Sequence, residues 1–310
     1  MNQRNITKYF KTNHNPLISS VIPVYNSEKT ISSSICSIQN QNYTNIEIIL
    51  IDDFSTDNSY NIIKNLQEND KRIKIIKNKK NMGSLFSRCL GTLTSRGEYI
   101  FALDNDDMFF SNNIFDYYLN IAQKYNFDIV GFRAFSIGNY NDSINKISDL
   151  YPYNSYQKKI IVRQPELSTW MIDLNGNLSI HDVTIWAKCI KSKIYKEAIV
   201  KLGKKRYSNF VSWAEDTIVN FVIFNLANSF IFIHKYGIIH LINISTASFT
   251  MPYKIRLFGE LLLLEIMYDF SKNNDKKYVV DRVYRVKRKF QINTFINNTN
   301  LIYFKYILNR

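Results

Sequence analysis

Glycine and proline are scarce, 9 and 5 in 310 residues, which excludes a collagen-like repeat or a proline-rich linker protein. The three cysteines (Cys36, Cys89, Cys189) and four histidines (His14, His181, His234, His240) are scattered. They form no C-x-x-C or H-E-x-x-H pattern, so neither a disulfide framework nor a Cys/His zinc site is expected. Long hydrophobic runs are missing too. The nearest approach, FGELLLLEIMYDF, is broken by Glu260, Glu265 and Asp269, short of the ~18 uninterrupted apolar residues of a membrane span. The opening MNQRNITKYFKTNHNP lacks the apolar segment of a signal peptide. A soluble, reducing-compartment, cytoplasmic chain is expected. Acidic residues are also in short supply, 26 against 40 Lys and Arg, a net charge of +14. Such a surplus suits nucleic acid, an anionic membrane surface or a phosphorylated ligand, and does not choose among them.

What is present is an orderly alternation of two hydrophobic periods. Apolar strand-like runs occupy residues 19–25 (SSVIPVY), 46–51 (IEIILI), 72–77 (RIKIIK), 99–103 (YIFAL) and 127–135 (FDIVGFRAF). Between them, helical spacing appears at Ile31, Ile35 and Ile38, then over 57–69, 82–95 and 113–125. Strands joined by helices predict an α/β fold with a Rossmann-like, mostly parallel sheet. Residues 138–168 show no regular pattern. A strand end running into a basic helix is expected over 185–200, an apolar helix over 216–228, and two strand-like runs over 229–244 joined at Lys235-Tyr236-Gly237. From Pro252 the pattern is helical, with Leu257, Leu261, Leu264, Ile266 and Tyr268 as its apolar stripe. The expected organisation is an arm over 1–18, a domain over 19–250 in two halves (19–135 and 136–250), and a basic helical extension over 251–310. Residues 253–310 carry 12 basic against five acidic side chains, half of the whole surplus. Within it, Arg282, Arg285, Lys287, Arg288 and Lys289 interleave with Val279, Val280, Val283, Val286 and Phe290. That pattern fits either a peripheral helix on anionic lipid or a helix capping its own core.

Ligands of parallel sheets gather at the carboxyl ends of the strands, and those ends are acidic here. Asp104-Asn105-Asp106-Asp107 follows one strand and Asp52-Asp53 another. Clustered carboxylates repel one another and call for a hard cation, Mg²⁺ or Mn²⁺, of the kind shared with substrate phosphates. Asp is equally at home at a helix start, and two acidic strand ends in one sheet weigh toward a ligand site. Glu215-Asp216 heads an apolar helix, where acids also suit the helix dipole. Beside Trp213 and Ala214, Asp216 is placed to act as a general base with a raised pKa.

The order VIPVYN (21–26), IDDFSTDNS (51–59), NMGSLFSRCLGTLTSRGEYI (81–100), ALDNDD (102–107) and WAEDTIVNF (213–221) resembles the family 2 glycosyltransferases of GT-A fold, over roughly residues 19–250. The resemblance implies that Pro23 and Tyr25 line a nucleotide base, and that Asp52 and Asp53 hold base and ribose. It implies that Asn81, Gly83 and Arg88 close the nucleotide pocket, and that Asp104 and Asp106 form a D-x-D motif reaching ribose and metal. Asp107 is a second candidate metal ligand. Asp216 is then the catalytic base, supported by Glu215, and IWAK with Trp186 and Lys188, together with Trp213, marks the acceptor side. His181-Asp182 belongs to the same region, and His240 is either a core histidine or a diphosphate contact. Lys201, Lys204, Lys205 and Arg206 are either a solvated face or an anion contact. The polymerase signature Q-x-x-R-R-W is absent, and Arg88 is followed by Cys89-Leu90-Gly91 where the family often has Asn-x-Gly. The implied activity is inverting, metal-dependent transfer of one sugar from a UDP-sugar to a hydroxyl of a glycan or glycolipid. A nucleotidyltransferase, or an inactive carbohydrate- or nucleic-acid-binding module, are the alternatives. The acidic strand ends argue against nucleic acid as a partner.

Overall fold

The computed structural model describes residues 14–137, 148–149, 160–164, 166–171, 184–241 and 252–272. The expected elements over 273–310, the loop His181-Asp182 and most of 138–168 lie outside them. The first half is a run of βα units: β1 (Ile18–Val24), α1 (Ile31–Gln39), β2 (Ile46–Asp52), α2 (Ser59–Asn69), β3 (Ile73–Lys77), α3 (Ser84–Thr94) and β4 (Tyr99–Ala102). The second half comprises β5 (Met108–Phe109), α4 (Ile114–Tyr125), β6 (Ile129–Ile137), β7 (Ser148–Asp149), β8 (Ile160–Arg163) and β9 (Lys188–Lys191). It continues through α5 (Ser192–Leu202), α6 (Lys204–Tyr207), α7 (Glu215–Leu226), β10 (Ser229–Leu241) and α8 (Tyr253–Lys272).

Among the described residues ten strands share one sheet, ordered β3-β2-β1-β4-β9-β6-β10-β5, with β7 beside β6 and β8 beside β10. The strands β1 to β4, β6 and β10 point the same way, and β9 runs antiparallel between β4 and β6. The mostly parallel α/β sheet is therefore as expected, with short reversed strands added. Alternation along β1 and β2 divides the core between the two faces. Val21, Ile49 and Ile51 pack with Leu85 of α3, Tyr195 of α5 and Phe221 of α7. Ile22, Ile48 and Leu50 pack with Ile31, Ile35 and Ile63 of α1 and α2 and with Phe115 and Tyr118 of α4.

Two expectations need correction. Residues 229–241 are one strand, not two: its register against β6 slips on both sides of Tyr236, so Lys235-Tyr236-Gly237 is a bulge rather than a turn. Pairing with β6 along its whole length holds the strand together where local sequence suggests a break. In α8 the buried positions are Leu261 to Leu264, Ile266 and Met267, while Tyr268 is 43% exposed. Gly259 lies so close to the loop before α7 that a Cβ there would meet the Trp213 carbonyl oxygen at 2.1 Å. The α8 helix thus braces the segment leading into α7.

At the opposite end of the sheet from the acidic strand ends, Glu47 of β2 is buried. It accepts hydrogen bonds from Ser19 Oγ at 2.7 Å, Lys74 Nζ at 2.6 Å and the Arg96 and Gly97 N–H groups at 2.5 and 3.2 Å. Burial raises its pKa, but these donors outweigh it and hold the carboxyl down at about 2. A depressed folded-state pKa adds stability above the unfolded value that is lost as pH falls. Glu47→Gln is therefore expected to lose about 2–3 kcal/mol at pH 7. The gap to the parent should narrow between about pH 4.5 and 2, as read from urea midpoints across that range.

Candidate active site

The ends of β1 and β2 are stitched together before they reach solvent. Asp53 N–H donates to Val24 O at 2.8 Å, Asn26 N–H to Ser55 Oγ at 3.2 Å, and Thr56 N–H to Asn26 Oδ1 at 2.8 Å. Pro23 is the penultimate residue of β1, and Tyr25, just past it, is 44% exposed. Asp52 is buried, accepting from Ser55 N–H at 3.3 Å, and its Oδ2 lies 3.9 Å from Lys77 Nζ. Asp53 turns inward. Its carboxylate accepts from Asn78 Nδ2 at 2.7 Å and from the Met82 and Gly83 N–H groups, each at 2.8 Å. Asn81 Oδ1 accepts from the same Gly83 N–H at 3.1 Å. Asp53 and Asn81 therefore shape the approach to α3, and the direct base and ribose contact expected of Asp53 would compete with three protein donors. Gly83 has φ +87°, and a Cβ there would lie 2.8 Å from Val211 O. Only glycine gives this backbone both its handedness and its close approach.

From α3, Arg88 reaches the centre of the cleft. The residue is 2% exposed, and its guanidinium is engaged by carboxylates of the protein itself. Its Nη2 donates to Asp104 Oδ1 at 2.7 Å and lies 3.3 Å from Asp216 Oδ1. One guanidinium thus joins the first acid of the D-x-D turn to the acid at the start of α7. Asp216 also accepts the Ile185 N–H at 2.9 Å through its other oxygen, and Glu215 accepts from Ser84 Oγ at 2.9 Å. Burial pushes the Asp216 carboxyl up to about 7, Asp104 and Glu215 adding to the shift and Arg88 opposing it. That is the range a general base uses at neutral pH.

The acidic turn is held from two sides. Thr30, just before α1, and Ser34 within it donate to the Asn105 carbonyl at 2.9 and 3.0 Å. Asp107 is fully buried; its Oδ1 meets His240 Nδ1 at 2.9 Å and the Leu241 N–H at 3.3 Å, while Oδ2 has no hydrogen-bond partner. Asp106 is pushed up to about 7, by burial first and then by Asp107 and Asp104. His240 goes the other way: burial lowers its pKa, but Asp107, Asp106 and Asp104 together lift it to about 9. An orphaned buried carboxylate oxygen beside a second carboxylate that resists ionisation is a donor set suited to a hard divalent cation. Among the described residues no three His, Cys, Asp or Glu side chains converge as a complete cage.

The aromatic and basic candidates separate. Trp186 is 5% exposed, and its ring stacks on His240 with centroids 5.2 Å apart and planes 12° from parallel. Lys188 is buried, its ammonium donating to the Thr184 carbonyl. Both side chains are enclosed, Trp186 against the His240 ring and Lys188 against the Thr184 carbonyl. Trp213 lies under the Arg256 guanidinium at 4.9 Å and donates to Glu260, both from α8. Arg206 is bonded to Glu265 and Asp269, while Lys201, Lys204 and Lys205 face solvent. Sequence reasoning underweighted His240. Its signal was a single polar residue on an otherwise apolar strand, IIHLIN, and the Asp107 pairing across 133 positions supplies the meaning.

The pattern described as Glycosyl transferase family 2 matches residues 19–177, just over half of the chain. The chain belongs to glycosyl transferase family 2. An uncharacterized glycosyltransferase of Haemophilus influenzae is 41% identical over 125 residues, 40% of this chain and 47% of that protein. An Escherichia coli member, the UDP-Glc:alpha-D-GlcNAc-diphosphoundecaprenol beta-1,3-glucosyltransferase WfgD, is 34% identical over 142 residues, 46% of this chain and 52% of its own length. The matches thus span about half of the length of each of these relatives. The crystal structure of S. aureus TarS residues 1–349 in complex with UDP-GlcNAc superposes with a TM-score of 0.66 at 16% identity, covering 92% of this chain and 76% of that one. At that identity the likeness to TarS shows the fold alone, which is of GT-A type.

Proposed function

We propose that the chain is an inverting glycosyltransferase that moves one sugar from a UDP-sugar to a hydroxyl of a glycan or glycolipid acceptor. The observation that carries this reading is the Arg88 bridge between Asp104 and Asp216. It puts an acidic turn of the kind that receives a nucleoside diphosphate within one guanidinium of a carboxylate poised near neutrality. The UDP-GlcNAc complex of TarS supports a UDP-sugar donor, and the name of WfgD supports a lipid-diphosphate-linked acceptor.

Tyr25, with Pro23 behind it, offers an open ring to the base, and Asp52 and Asp104 lie toward the ribose. Asp53, Asn81 and Gly83 fix the loop that walls the nucleotide pocket. Asp106 and Asp107 would hold Mn²⁺ or Mg²⁺, which as a Lewis acid would stabilise the departing diphosphate. His240, stacked on Trp186, orients Asp107 and offsets its charge. Asp216 takes the proton of the acceptor hydroxyl as that oxygen attacks the anomeric carbon opposite the leaving group, which inverts the centre. Glu215 holds the α7 start against Ser84 and keeps the Asp216 pKa high. Trp213 remains the acceptor-side aromatic nearest the base in the chain. We assign residues 19–250 to the catalytic domain and 251–310 to a basic extension suited to an anionic membrane surface. Among the described residues no helix is long and apolar enough to cross a membrane.

The test is incubation with UDP-sugars and Mn²⁺ beside nucleoside triphosphates, reading UDP against pyrophosphate release. UDP release is expected, and pyrophosphate would favour a nucleotidyltransferase. Asp106→Asn should remove at least ~10-fold of the metal-dependent gain in UDP affinity, since it deletes one anionic ligand. Equal metal dependence in the variant would move the ligand role to Asp107 alone.

A further inference from the structure

The start of α7 is not set by its own sequence. Ala214, the residue before the helix, lies at φ +59°, and no side chain caps the helix there. A left-handed alanine is strained because its Cβ crowds the following carbonyl, so the conformation persists only where neighbouring structure holds it. Asp216 follows two positions later. Its two oxygens meet the Ile185 N–H at 2.9 Å and Arg88 Nη2 at 3.3 Å, so any slip in the turn is felt at the carboxylate.

Two elements grip this turn. One is the start of α3, where Leu85 N–H donates to the Val211 carbonyl at 3.1 Å and Ser84 Oγ to Glu215 at 2.9 Å. The other is α8, whose contacts converge on Trp213. The Arg256 guanidinium lies over the indole, 4.9 Å from its centroid, and Glu260 accepts the indole N–H. Between these two, the buried Gly259 brings the helix backbone against Trp213 and leaves no room for a Cβ at its carbonyl oxygen. Residues 256 and 260 are about one helical turn apart, so one face of α8 holds Trp213 by its ring, its N–H and its main chain. The helix is anchored further along: Leu263, Ile266 and Met267 share the core of Ile218 and Phe221, and Phe270 meets Phe221 edge-on at 5.8 Å. Apolar contacts suffice to dock a helix. Here polar and backbone contacts are concentrated on the residue that leads into the strained turn.

We propose that Trp213 is a positioning residue, latched by α8 through Arg256, Gly259 and Glu260, that fixes the left-handed turn at Ala214 and thereby the carboxylate of Asp216. The helix at the head of the C-terminal extension is then part of the catalytic unit, needed for turnover and not for binding the donor. The proposal rests on the reading of Asp216 as the base and adds the device that aims it. Misplacing a catalytic group by about 1 Å can cost about 10²-fold in rate, so a latch that never touches substrate is enough to govern it.

The experiment follows two readouts on the full chain: kcat for UDP release from UDP-sugars with Mn²⁺, and hydrogen exchange of the Ile185 amide by NMR. That amide bonds Asp216 directly, so its exchange reports the carboxylate without any turnover. Glu260→Ala and Trp213→Phe each delete the same hydrogen bond. Each should lower kcat about 10-fold and quicken Ile185 exchange by a similar factor, with UDP affinity within about twofold and amide exchange in β1 and β2 unchanged. Combined, they should do no more than either alone. Glu260→Gln retains an oxygen for the indole N–H and should recover most of both readouts. Gly259→Ala forces two backbones apart and should cost more, about 10²-fold in kcat. Parent-like kcat and exchange in Glu260→Ala and Trp213→Phe overturn the proposal, as do additive losses or a fall in UDP affinity in step with kcat. If the parent releases no UDP from any UDP-sugar, the transferase reading fails and Ile185 exchange alone decides the latch, unchanged exchange in the variants overturning it.

Discussion

Asp216→Asn is expected to lower turnover by about 10³-fold or more, the weight of a general base, and to leave UDP affinity within about twofold. The substitution is nearly isosteric. An amide oxygen can still accept the Ile185 N–H that now bonds Asp216 at 2.9 Å, so the start of α7 keeps its place and only the proton acceptor is lost. Parent-like turnover would remove Asp216 from the base role. The pH dependence gives a second reading of the same group. A base acts when ionised, so kcat should rise tenfold per pH unit on its acid limb and level off above about 7, where the Asp216 carboxyl is poised. Glu215 helps raise that value. Glu215→Gln should therefore move the limb to lower pH, a shift that loss of helix packing alone would not produce.

Arg88→Met has the largest effect expected on stability. The guanidinium is 2% exposed and serves two carboxylates. Removing one partner of a buried ionic cluster costs about 3–5 kcal/mol, because the remaining charges stay desolvated. Asp216 can escape the penalty by taking up a proton. Without Arg88, which opposes the rise, its folded-state pKa climbs further above the unfolded one, so the folded form binds more protons than the unfolded form. Stability then falls as pH rises, and the deficit should be greatest near pH 8 and shrink toward pH 5. Urea midpoints at the two pH values measure it. Arg88→Lys should fall between, since an ammonium has the charge but not the planar fork. A deficit under about 1 kcal/mol at pH 8 would mean that the cluster is solvated rather than buried.

Much of this site was legible before any coordinates, because its chemistry sits at strand ends and strand ends are local features. The runs IEIILI and YIFAL each stop at an Asp cluster, and both became the central strands β2 and β4. What escaped the sequence was decided by contacts between distant segments. The two-residue β5 is too short to show a period, and it exists because β10 pairs with it at Ile238 and Ile239. Glu47 is one acid inside the apolar run IEIILI, and the partners that close around it, Ser19, Lys74 and Arg96, lie 27 to 49 positions away in sequence. Trp186 and Lys188 carry the pattern expected of an acceptor site; in space Lys188 opens β9 between β4 and β6, Trp186 just before it stacks on His240, and both are buried. Arg88 matched a motif whose implied role faces the ligand. Its role in the structure is seen only when residues 104 and 216 meet in space.

The Arg88 bridge also has a history within each newly made chain. Asp104 leaves the ribosome 16 residues after Arg88, and β1 to β4 need nothing later in the sequence to pair with one another. Asp216 emerges 128 residues after Arg88, an interval of about 6–25 s at ordinary translation speeds. The nascent first half can therefore settle with its cation matched to a single acid. The α7 segment then docks a second acid against that same guanidinium, so the late-made part of the chain is held to the early-made part by a charge set in place long before it.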